Sequence, residues 1–452
     1  MSKSGFLVVP FAVFACGGGV NSPAINPPAN ETTSPTIADV QGTGRESPMA
    51  GDIVTVEGIV TGDFQDNDTD QSKNLSGFFI QSARPDSNAS TSDGIFVFDG
   101  SAPATDVTVG DSVSVTGTVQ EYFGETQIAA TGVFIDGRGA ISAIELRLPH
   151  TAIVENSDGI VIGDLEAYEG MLVQISQTLT VTELFNLERY GEVRLSAGGR
   201  LYQFTNANLP DVDGYSSHQR ETARRTLVLD DGRRQQNTVP TPYLHHTTET
   251  NSALRLGDSI TGLTGNLRYS RGGGGSGTET WRLMPTRDPT FDSVNLRPDA
   301  PVIDGALTIA NVNVFNFFST VDSGERVCGP SSNSRCRGAD SDTELARQLE
   351  KTTTVLRMIN ADIVGLVEVE NNAVESLHAI VDSLNASPFD GDYSIMDTGA
   401  IGDDAIKVGL IYKHAKVTPV GAHAILDSSV DARFDDGRHR PGRTFRSLVF
   451  AQ

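Results

Sequence analysis

The stretch Asp362-Ile363-Val364-Gly365-Leu366-Val367-Glu368-Val369 has the pattern of a buried strand, because a run of apolar and small residues precedes a carboxylate. A helix is predicted to precede it, since Ser341-Asp342-Thr343-Glu344 has the pattern of a capping box. The residues that fall on one stripe of this helix are Leu345, Leu349, Thr352, Leu356 and Ile359. A further strand is predicted upstream, at Leu307 to Val314. The order strand, helix, strand predicts two parallel neighbours joined by a crossover helix.

Each of these two strands carries a polar residue near its end. A carboxylate at the end of an apolar strand costs free energy unless an ion or another partner compensates for it, and Glu368 is such a residue. Mg²⁺ prefers hard oxygen ligands and keeps several waters, so one carboxylate beside a substrate phosphate suffices to anchor it. Asn313 is neutral and suited to orient a phosphate oxygen or the glutamate. The alternatives are an ordinary exposed carboxylate for Glu368 and a turn or bulge amide for Asn313.

Alternation with a period of two dominates the chain before this segment and predicts short strands. It is clear in Asp52 to Val60, recurs in Gly110 to Val119 and is looser in Gly257 to Gly265. Several such runs, punctuated by Gly and Asp, predict a small Greek-key barrel in residues 36–150. Residues 151–294 are predicted to form a second β-rich domain, and residues 295–304 a linker.

Some features of the β-rich region suggest ligands but have simpler explanations. The aromatic residues that could stack on bases are Phe64, Phe79, Phe96 and Tyr122. Phe79 and Phe96 alternate as in strands, so we expect them in the core. Gly272 to Gly275 lacks a following Lys-Ser/Thr and is predicted to be a hairpin tip. A metal site at Asp230-Asp231 and His245-His246 is disfavoured, because adjacent strand residues point to opposite faces.

The composition indicates an acidic protein rich in turns and short strands. The chain has 46 Gly and 20 Pro but a single Trp. Its formal net charge of -24 argues against passive attraction to nucleic acid, which is normally approached with clustered Lys and Arg. A nuclease with this charge would need a divalent metal and a local basic patch to offset the repulsion.

The first residues have the pattern of an export signal. An apolar run in residues 1–15 predicts a signal peptide, and Val13-Phe14-Ala15-Cys16 resembles a lipobox in which Cys16 is lipidated. Residues 16–35 would then form a tether to the envelope; plain secretory cleavage with an incidental cysteine is the alternative. Export makes a disulfide between Cys328 and Cys336 the expected state, and a metal site at these two thiols is the weaker alternative.

Taken together, the motifs of the last part resemble one superfamily. Leu307 to Val314 looks like the opening strand of the endonuclease/exonuclease/phosphatase superfamily, and Asp362 to Val369 like its second motif. Further motifs follow the order and spacing of that superfamily's extracellular endonucleases: Cys328-Gly329-Pro330, Cys336 to Asp340, Asp404 to Tyr412, Phe434-Asp435-Asp436 and Arg440-Pro441. The predicted barrel also resembles the OB-fold domain that precedes secreted nucleases.

The resemblance implies a function and a set of site residues. It implies a metal-dependent phosphodiester hydrolase acting on DNA or RNA, with Mg²⁺ as cofactor and Mn²⁺ or Ca²⁺ as alternatives. Glu368 would bind the ion, with Asn313 helping to organise metal and phosphate, and Arg440 would clamp a phosphate. Lys407 is a second candidate for phosphate binding, whereas His378 is expected to be a flank residue of a helix rather than a catalytic base. A solvated charged loop is the alternative for Arg440.

The resemblance also has a limit. The general base and the later carboxylate motifs of the superfamily are not visible, so residues 305–452 are expected to form only the first part of an α/β sandwich and to be inactive alone. The expected protein is therefore multi-domain, secreted or anchored to the outer membrane by lipid, with no feature that indicates a protein partner. The alternative is a non-catalytic surface lipoprotein that binds polymers or partners through its β domains.

Overall fold

The computed structural model describes residues 34–426 and the strand 447–449, except residues 68–72, 250–251, 273–274, 276, 300–301 and 390. The chain divides into two compact units, Met1–Leu296 and Arg297–Gln452, and the division falls within the segment predicted as a linker. The prediction of a β-rich protein with several sheets is confirmed. No helix within the described ranges is long and apolar enough to cross a membrane.

The first unit begins with a short helix and a closed five-stranded barrel. The helix is α1 (Ile37–Gln41), and the strands are β1 (Ile53–Phe64), β2 (Gly77–Gln81), β3 (Gly94–Phe98), β4 (Asp111–Tyr122) and β5 (Glu125–Arg138). The barrel closes in the order β1-β2-β3-β5-β4, because β1 pairs with both β2 and β4. Along β4 buried and half-buried residues alternate, which is the pattern that predicted a barrel in this region.

The aromatic side chains of the barrel are core residues, as expected for Phe79 and Phe96. Both are buried, as is Phe64, and the three rings pack with Met284 from the second sheet of the same unit. Tyr122 differs, because 54% of its surface is exposed. Phe64, Phe79 and Phe96 are therefore not available for stacking on a ligand in this arrangement.

The second sheet of this unit has eight strands, in the order β13-β10-β11-β12-β15-β14-β9-β6. The strands of this part are β6 (Ile144–Glu145), β7 (Ile153–Glu155), β8 (Val161–Gly163), β9 (Leu172–Ile175), β10 (Leu179–Glu183), β11 (Val193–Ala197), β12 (Thr226–Leu229), β13 (Ser259–Ile260), β14 (Leu263–Arg271) and β15 (Glu279–Pro285), with β7 and β8 forming a separate hairpin. The helices are α2 (Leu187–Tyr190) and α3 (Val212–Arg225).

One face of this sheet is apolar and forms a core. Leu229, Leu283 and Leu267 lie opposite one another on three neighbouring strands, and all three belong to the same buried cluster. Gly272 and Gly275 lie between the antiparallel partners β14 and β15, so the prediction of a hairpin tip is confirmed.

Polar contacts join the barrel to the second sheet. Arg268 in β14 makes a bidentate ion pair with Glu125 in β5, with its Nε 2.9 and 3.0 Å from the carboxylate oxygens and Nη2 2.8 Å from Oε2. Asn266 Nδ2 donates to Thr61 Oγ1 at 2.8 Å. Burial raises the pKa of Glu125, although the guanidinium acts in the opposite direction. Residues 36–150 and 151–294, predicted as two domains, thus pack as one compact unit.

The second unit is a four-stranded sheet with helices packed on it. Its elements are β16 (Ile309–Phe317), α4 (Asp342–Ile359), β17 (Ile363–Glu370), α5 (Glu375–Asn385), β18 (Tyr393–Ile395) and β19 (Ile406–Lys413), followed by the two-stranded pair β20 (Ala424–Leu426) and β21 (Ser447–Val449). The sheet order is β16-β17-β19-β18. The core contains Leu356 of α4, Leu377 and Ile380 of α5, and Val364 and Ile411 of the sheet.

The start of α4 agrees with the sequence pattern, but its buried stripe differs in part. Ser341 is the N-cap and its side chain accepts a hydrogen bond from Glu344 N. The Glu344 carboxylate accepts a hydrogen bond from Asp340 N rather than from Ser341 N, so the box is shifted by one residue. Ile359, predicted on the buried stripe, is 41% exposed, and Thr353 is buried instead. The buried side of the helix therefore contains Thr353 and Leu356 but does not extend to Ile359.

Candidate functional site

The two strands that carry the candidate residues are parallel neighbours, as the strand-helix-strand pattern predicted. Ile309 pairs with Ile363, and the register continues to Asn313 opposite Val367. The strand starts are tied together because Asp362 Oδ2 accepts hydrogen bonds from Thr308 N at 2.9 Å and Thr308 Oγ1 at 3.0 Å. Asn313 therefore lies beside the residue that immediately precedes Glu368.

Glu368 lies in an irregularity of β17. The pairing of β17 with β19 shifts between Leu366 and Val369, and Glu368 has φ 65°. Val364, Leu366 and Val369 all belong to the buried core, so an extra residue has been inserted into the alternation. Strict alternation would have placed Glu368 in that core. The bulge instead gives the core position to Val369 and leaves Glu368 half-buried, one residue after the Val367 that pairs with Asn313.

The end of β16 has a matching irregularity. Phe315 and Asn316 both have φ 52°, and the register with β17 shifts between Asn313 and Phe317. Asn313 is exposed, and its Oδ1 accepts a hydrogen bond from Phe315 N at 2.8 Å. The amide of Asn313 thus stabilises the turn, as the alternative interpretation expected. No described residue accepts a hydrogen bond from its amide nitrogen, so this group can still contact a ligand.

The Glu368 carboxylate is half-buried and uncommitted to other side chains. Within the part of the chain that the structure describes, it forms no hydrogen bond and no ion pair. A carboxylate without a protein partner is a ligand that suits a hard divalent cation or an ordered water. Among the described residues, no group of three or more His, Cys, Asp or Glu side chains is placed to hold a metal ion.

A buried carboxylate that the sequence did not single out lies two residues beyond Glu368. Glu370 is 2% exposed, and its Oε2 accepts hydrogen bonds from the strand-exit segments of both β16 and β17. The donors are Ser319 N and Oγ, Thr320 N, Asn372 Nδ2 and Ser376 Oγ, at distances between 2.9 and 3.2 Å. Glu370 therefore holds together the two loops that follow the candidate residues. The sequence signal for Glu370 was its position two residues after Glu368, which in a regular strand would place both on one face. Because of the bulge, Glu370 is buried whereas Glu368 is half-buried.

Cys328 and Cys336 form a disulfide, with an S–S distance of 2.05 Å. The pair is buried against Phe318 and Ala405 in a small apolar cluster. Cys328 Sγ also lies 3.3 Å from Glu370 Oε1, and because a disulfide sulfur carries no proton this is a contact rather than a hydrogen bond. The alternative of a metal site at these two thiols does not hold in this structure.

Lys407 has a structural role that conflicts with the prediction of phosphate binding. Its Nζ donates to the carbonyl oxygens of Asn372, Ala373 and Gly399 at 2.8, 2.6 and 2.8 Å. An ammonium group has three N–H bonds, so all of them are used. The side chain is buried, and burial lowers the pKa of Lys407. Lys407 therefore has no N–H bond left for a phosphate ligand.

Other candidates fall outside the described residues or elsewhere in the chain. Cys16 and Arg440 lie outside the described ranges. Asp230 and Asp231 are buried in the first unit, where burial raises their pKa values to about 6 and about 7, whereas His245 and His246 are exposed. The structure thus places Asn313 opposite Val367, one residue before Glu368, and gives Lys407 a structural role.

Comparisons of the chain with protein-family models, with curated protein sequences and with solved structures found no match.

Proposed function

We propose that the chain belongs to a metal-dependent phosphodiester hydrolase of the endonuclease/exonuclease/phosphatase type and supplies the metal and phosphate end of its site through Glu368 and Asn313. The observation that carries the proposal is the register of β16 and β17, in which Asn313 lies opposite Val367 beside the Glu368 bulge. The two sequence motifs are more than 50 residues apart in the polypeptide chain, and they meet on neighbouring strands only through this pairing.

The backbone of Glu368 supports a functional role. A left-handed φ is uncommon for a residue with a side chain and costs of order 1–2 kcal/mol, so it persists where the surrounding structure imposes it. β-bulges occur frequently beside active sites, where they redirect a side chain. The Glu368 carboxylate neither packs in the core nor bonds to a described residue, so no contact among the described residues compensates for the strained backbone. Ligand binding is a reason for its presence.

The donor set suits Mg²⁺, which is commonly held by one or two carboxylates together with waters and substrate phosphate. Glu368 would hold the ion, and the Asn313 amide nitrogen would donate to a phosphate oxygen while its Oδ1 maintains the turn. The bound metal would stabilise negative charge that develops on the phosphate during hydrolysis. Glu370 would keep the two strand-exit loops in register with the pair. Mn²⁺ and Ca²⁺ are the alternative ions.

The proposed substrate is a nucleic acid, DNA or RNA, and the proposed location is the cell exterior or the envelope surface. Export agrees with the buried disulfide at Cys328 and Cys336, since such bonds persist in oxidising compartments. A net charge of -24 requires local cations at the substrate, and Arg440 is proposed as one of them. The closed five-stranded barrel supports an OB-fold-like first region, and the parallel pair beneath helices supports an α/β sandwich.

Metal binding is the direct test of this proposal. We expect Mn²⁺ to bind the full chain, as measured by electron paramagnetic resonance of the free ion, and binding to weaken about tenfold or more in Glu368→Gln. Glu350→Gln is the matched control, because Glu350 is an exposed glutamate of α4. Asn313→Ala should weaken binding less, since the amide is proposed to contact phosphate. Equal Mn²⁺ affinity of Glu368→Gln and the parent chain would exclude Glu368 as the metal ligand.

Catalysis by this chain alone is expected to be undetectable on plasmid DNA with Mg²⁺ or Mn²⁺. The motifs that supply the general base in the superfamily are not among those matched, and a missing base commonly costs about 10²–10⁴ in rate. Nicking by the purified chain that disappears in Glu368→Gln would show that a base is present and was overlooked.

A further inference from the structure

The turn between β4 and β5 presents two exposed aromatic rings. Tyr122 pairs with Glu125, so Phe123 and Gly124 form the whole connection, with φ 53° and 79°. Positive φ at both central residues is the geometry of a type I′ turn, for which Asn-Gly is the preferred sequence. A bulky aromatic residue in this conformation is a strained outlier. Tyr122 and Phe123 are nevertheless 54% and 52% exposed, so the strain is not repaid by burial of either ring.

These rings border a groove within the first unit. The groove encloses about 490 Å³ and lies between the β4–β5 turn and the second sheet. Phe98, which is 39% exposed, adds a third aromatic surface, and Gln120 and Gln236 add amide groups. A volume in this range accommodates a small ligand or a few units of a polymer.

The arginines of the groove already have carboxylate partners. Arg271 lies 2.9 Å from Asp158 and 3.1 Å from Glu279, with its guanidinium 6.0 Å from the centre of the Phe123 ring. Arg268 is paired with Glu125 and Arg234 with Asp66, whereas Arg233 lies 4.0 Å from Asp231. A polyphosphate would have to compete with these carboxylates for cations in a chain of net charge -24. The groove therefore presents aromatic rings and amide groups together with arginines whose charges are balanced by neighbouring carboxylates.

We propose that this groove binds a neutral polysaccharide chain. Exposed aromatic rings can pack against the C–H faces of sugar rings, and amide, guanidinium and carboxylate groups can exchange hydrogen bonds with hydroxyls without a change in net charge. A single-stranded nucleic acid would use the same rings but would also need uncommitted cations along its backbone. The proposal does not depend on the hydrolase site of the second unit.

The test uses the full chain and isothermal titration calorimetry with soluble neutral hexasaccharides of glucose, N-acetylglucosamine and mannose. We expect at least one to bind at millimolar concentration, and Phe123→Asn to weaken that binding about tenfold or more. This substitution removes the ring but creates the preferred turn sequence, so thermal stability should be retained. Phe185→Asn is the matched control, since Phe185 is 88% exposed and does not line the groove.

Three outcomes would overturn the proposal. The first is that none of the hexasaccharides binds at millimolar concentration. The second is that one of them binds equally well to Phe123→Asn and to the parent chain. The third is that oligothymidylate binds in place of the sugars and loses affinity in Phe123→Asn, which would assign the groove to nucleic acid. Tyr122→Ala provides a second variant of the groove, and it should weaken sugar binding in the same direction as Phe123→Asn.

Discussion

Replacing Glu368 by glycine or by alanine measures the backbone strain at the candidate site. Both substitutions remove Cγ and the carboxylate, so the loss of side-chain contacts is similar. They differ in the backbone, because alanine keeps a Cβ at φ 65° and glycine does not. The difference in stability between the two variants therefore isolates the left-handed conformation.

The expected magnitude follows from two opposing contributions. A residue with a Cβ in the left-handed region costs about 1–2 kcal/mol. Glycine costs about 0.5–1 kcal/mol relative to alanine at an ordinary strand position, because the unfolded chain is more flexible. Glu368→Gly should therefore be more stable than Glu368→Ala by about 0.5–1 kcal/mol. At the neighbouring Val367, which has no positive φ, the order should reverse by about the same amount.

Hydrogen exchange of the full chain, read by mass spectrometry in peptides that cover β17, reports the opening free energy of this strand. The four variants at Glu368 and Val367 are compared under identical conditions. The single tryptophan, Trp281, lies in the first unit, so its fluorescence should be unchanged and serves as an internal control. Equal or lower protection in Glu368→Gly than in Glu368→Ala would refute the strain at Glu368 and remove the backbone argument for its functional role.

Three further predictions concern stability. Arg268→Met should destabilise the first unit in urea unfolding by about 3–5 kcal/mol, because it leaves the buried Glu125 unpaired. Adding Glu125→Gln should recover much of the lost stability. A destabilisation below about 1 kcal/mol by Arg268→Met would contradict this prediction. Burial raises the pKa of Asp231 to about 7, so the folded state holds this proton more tightly than the unfolded state and stability should fall as pH rises from about 4 to about 7. Asp231→Asn should flatten that dependence in urea unfolding across this range, by up to about 1.4 kcal/mol per pH unit, and an unchanged slope would argue against the shift. Peptide mapping without reductant should recover Cys328 and Cys336 joined, and replacing both by serine should lower the stability of the second unit by about 2–3 kcal/mol; two free thiols in exported protein would contradict the bond.

The sequence predicted those elements that depend on neighbours in the chain. Apolar periodicity and the cap at Ser341 predicted α4, and the run at Ile363 predicted β17. Alternation predicted a small barrel, and the isolated pair Cys328 and Cys336 predicted the disulfide. These signals are local, so a single sequence contains them.

The environments of individual polar residues depended on distant parts of the chain. Lys407 has no sequence signal for its three carbonyl partners, because they come from the loops at Asn372 and Gly399. Glu370 accepts hydrogen bonds from local donors and also from Ser319 and Thr320, which are 51 and 50 residues away in the chain. Closure of the groove beside Phe123 likewise requires the second sheet to pack on the barrel.

The position of Glu368 relative to the core could not be predicted from the sequence alone. The sequence determined that a carboxylate follows an apolar strand and that Asn313 ends another, which was enough to select both residues. Alternation alone would have directed Glu368 into the core with Leu366. The strand pairing on both sides of β17 prevents this, because Leu366 and Val369 must both reach the core while β17 stays in register with β16 and β19. That condition joins residues far apart in the chain, and the bulge that satisfies it keeps Glu368 out of the core, one residue after the partner of Asn313.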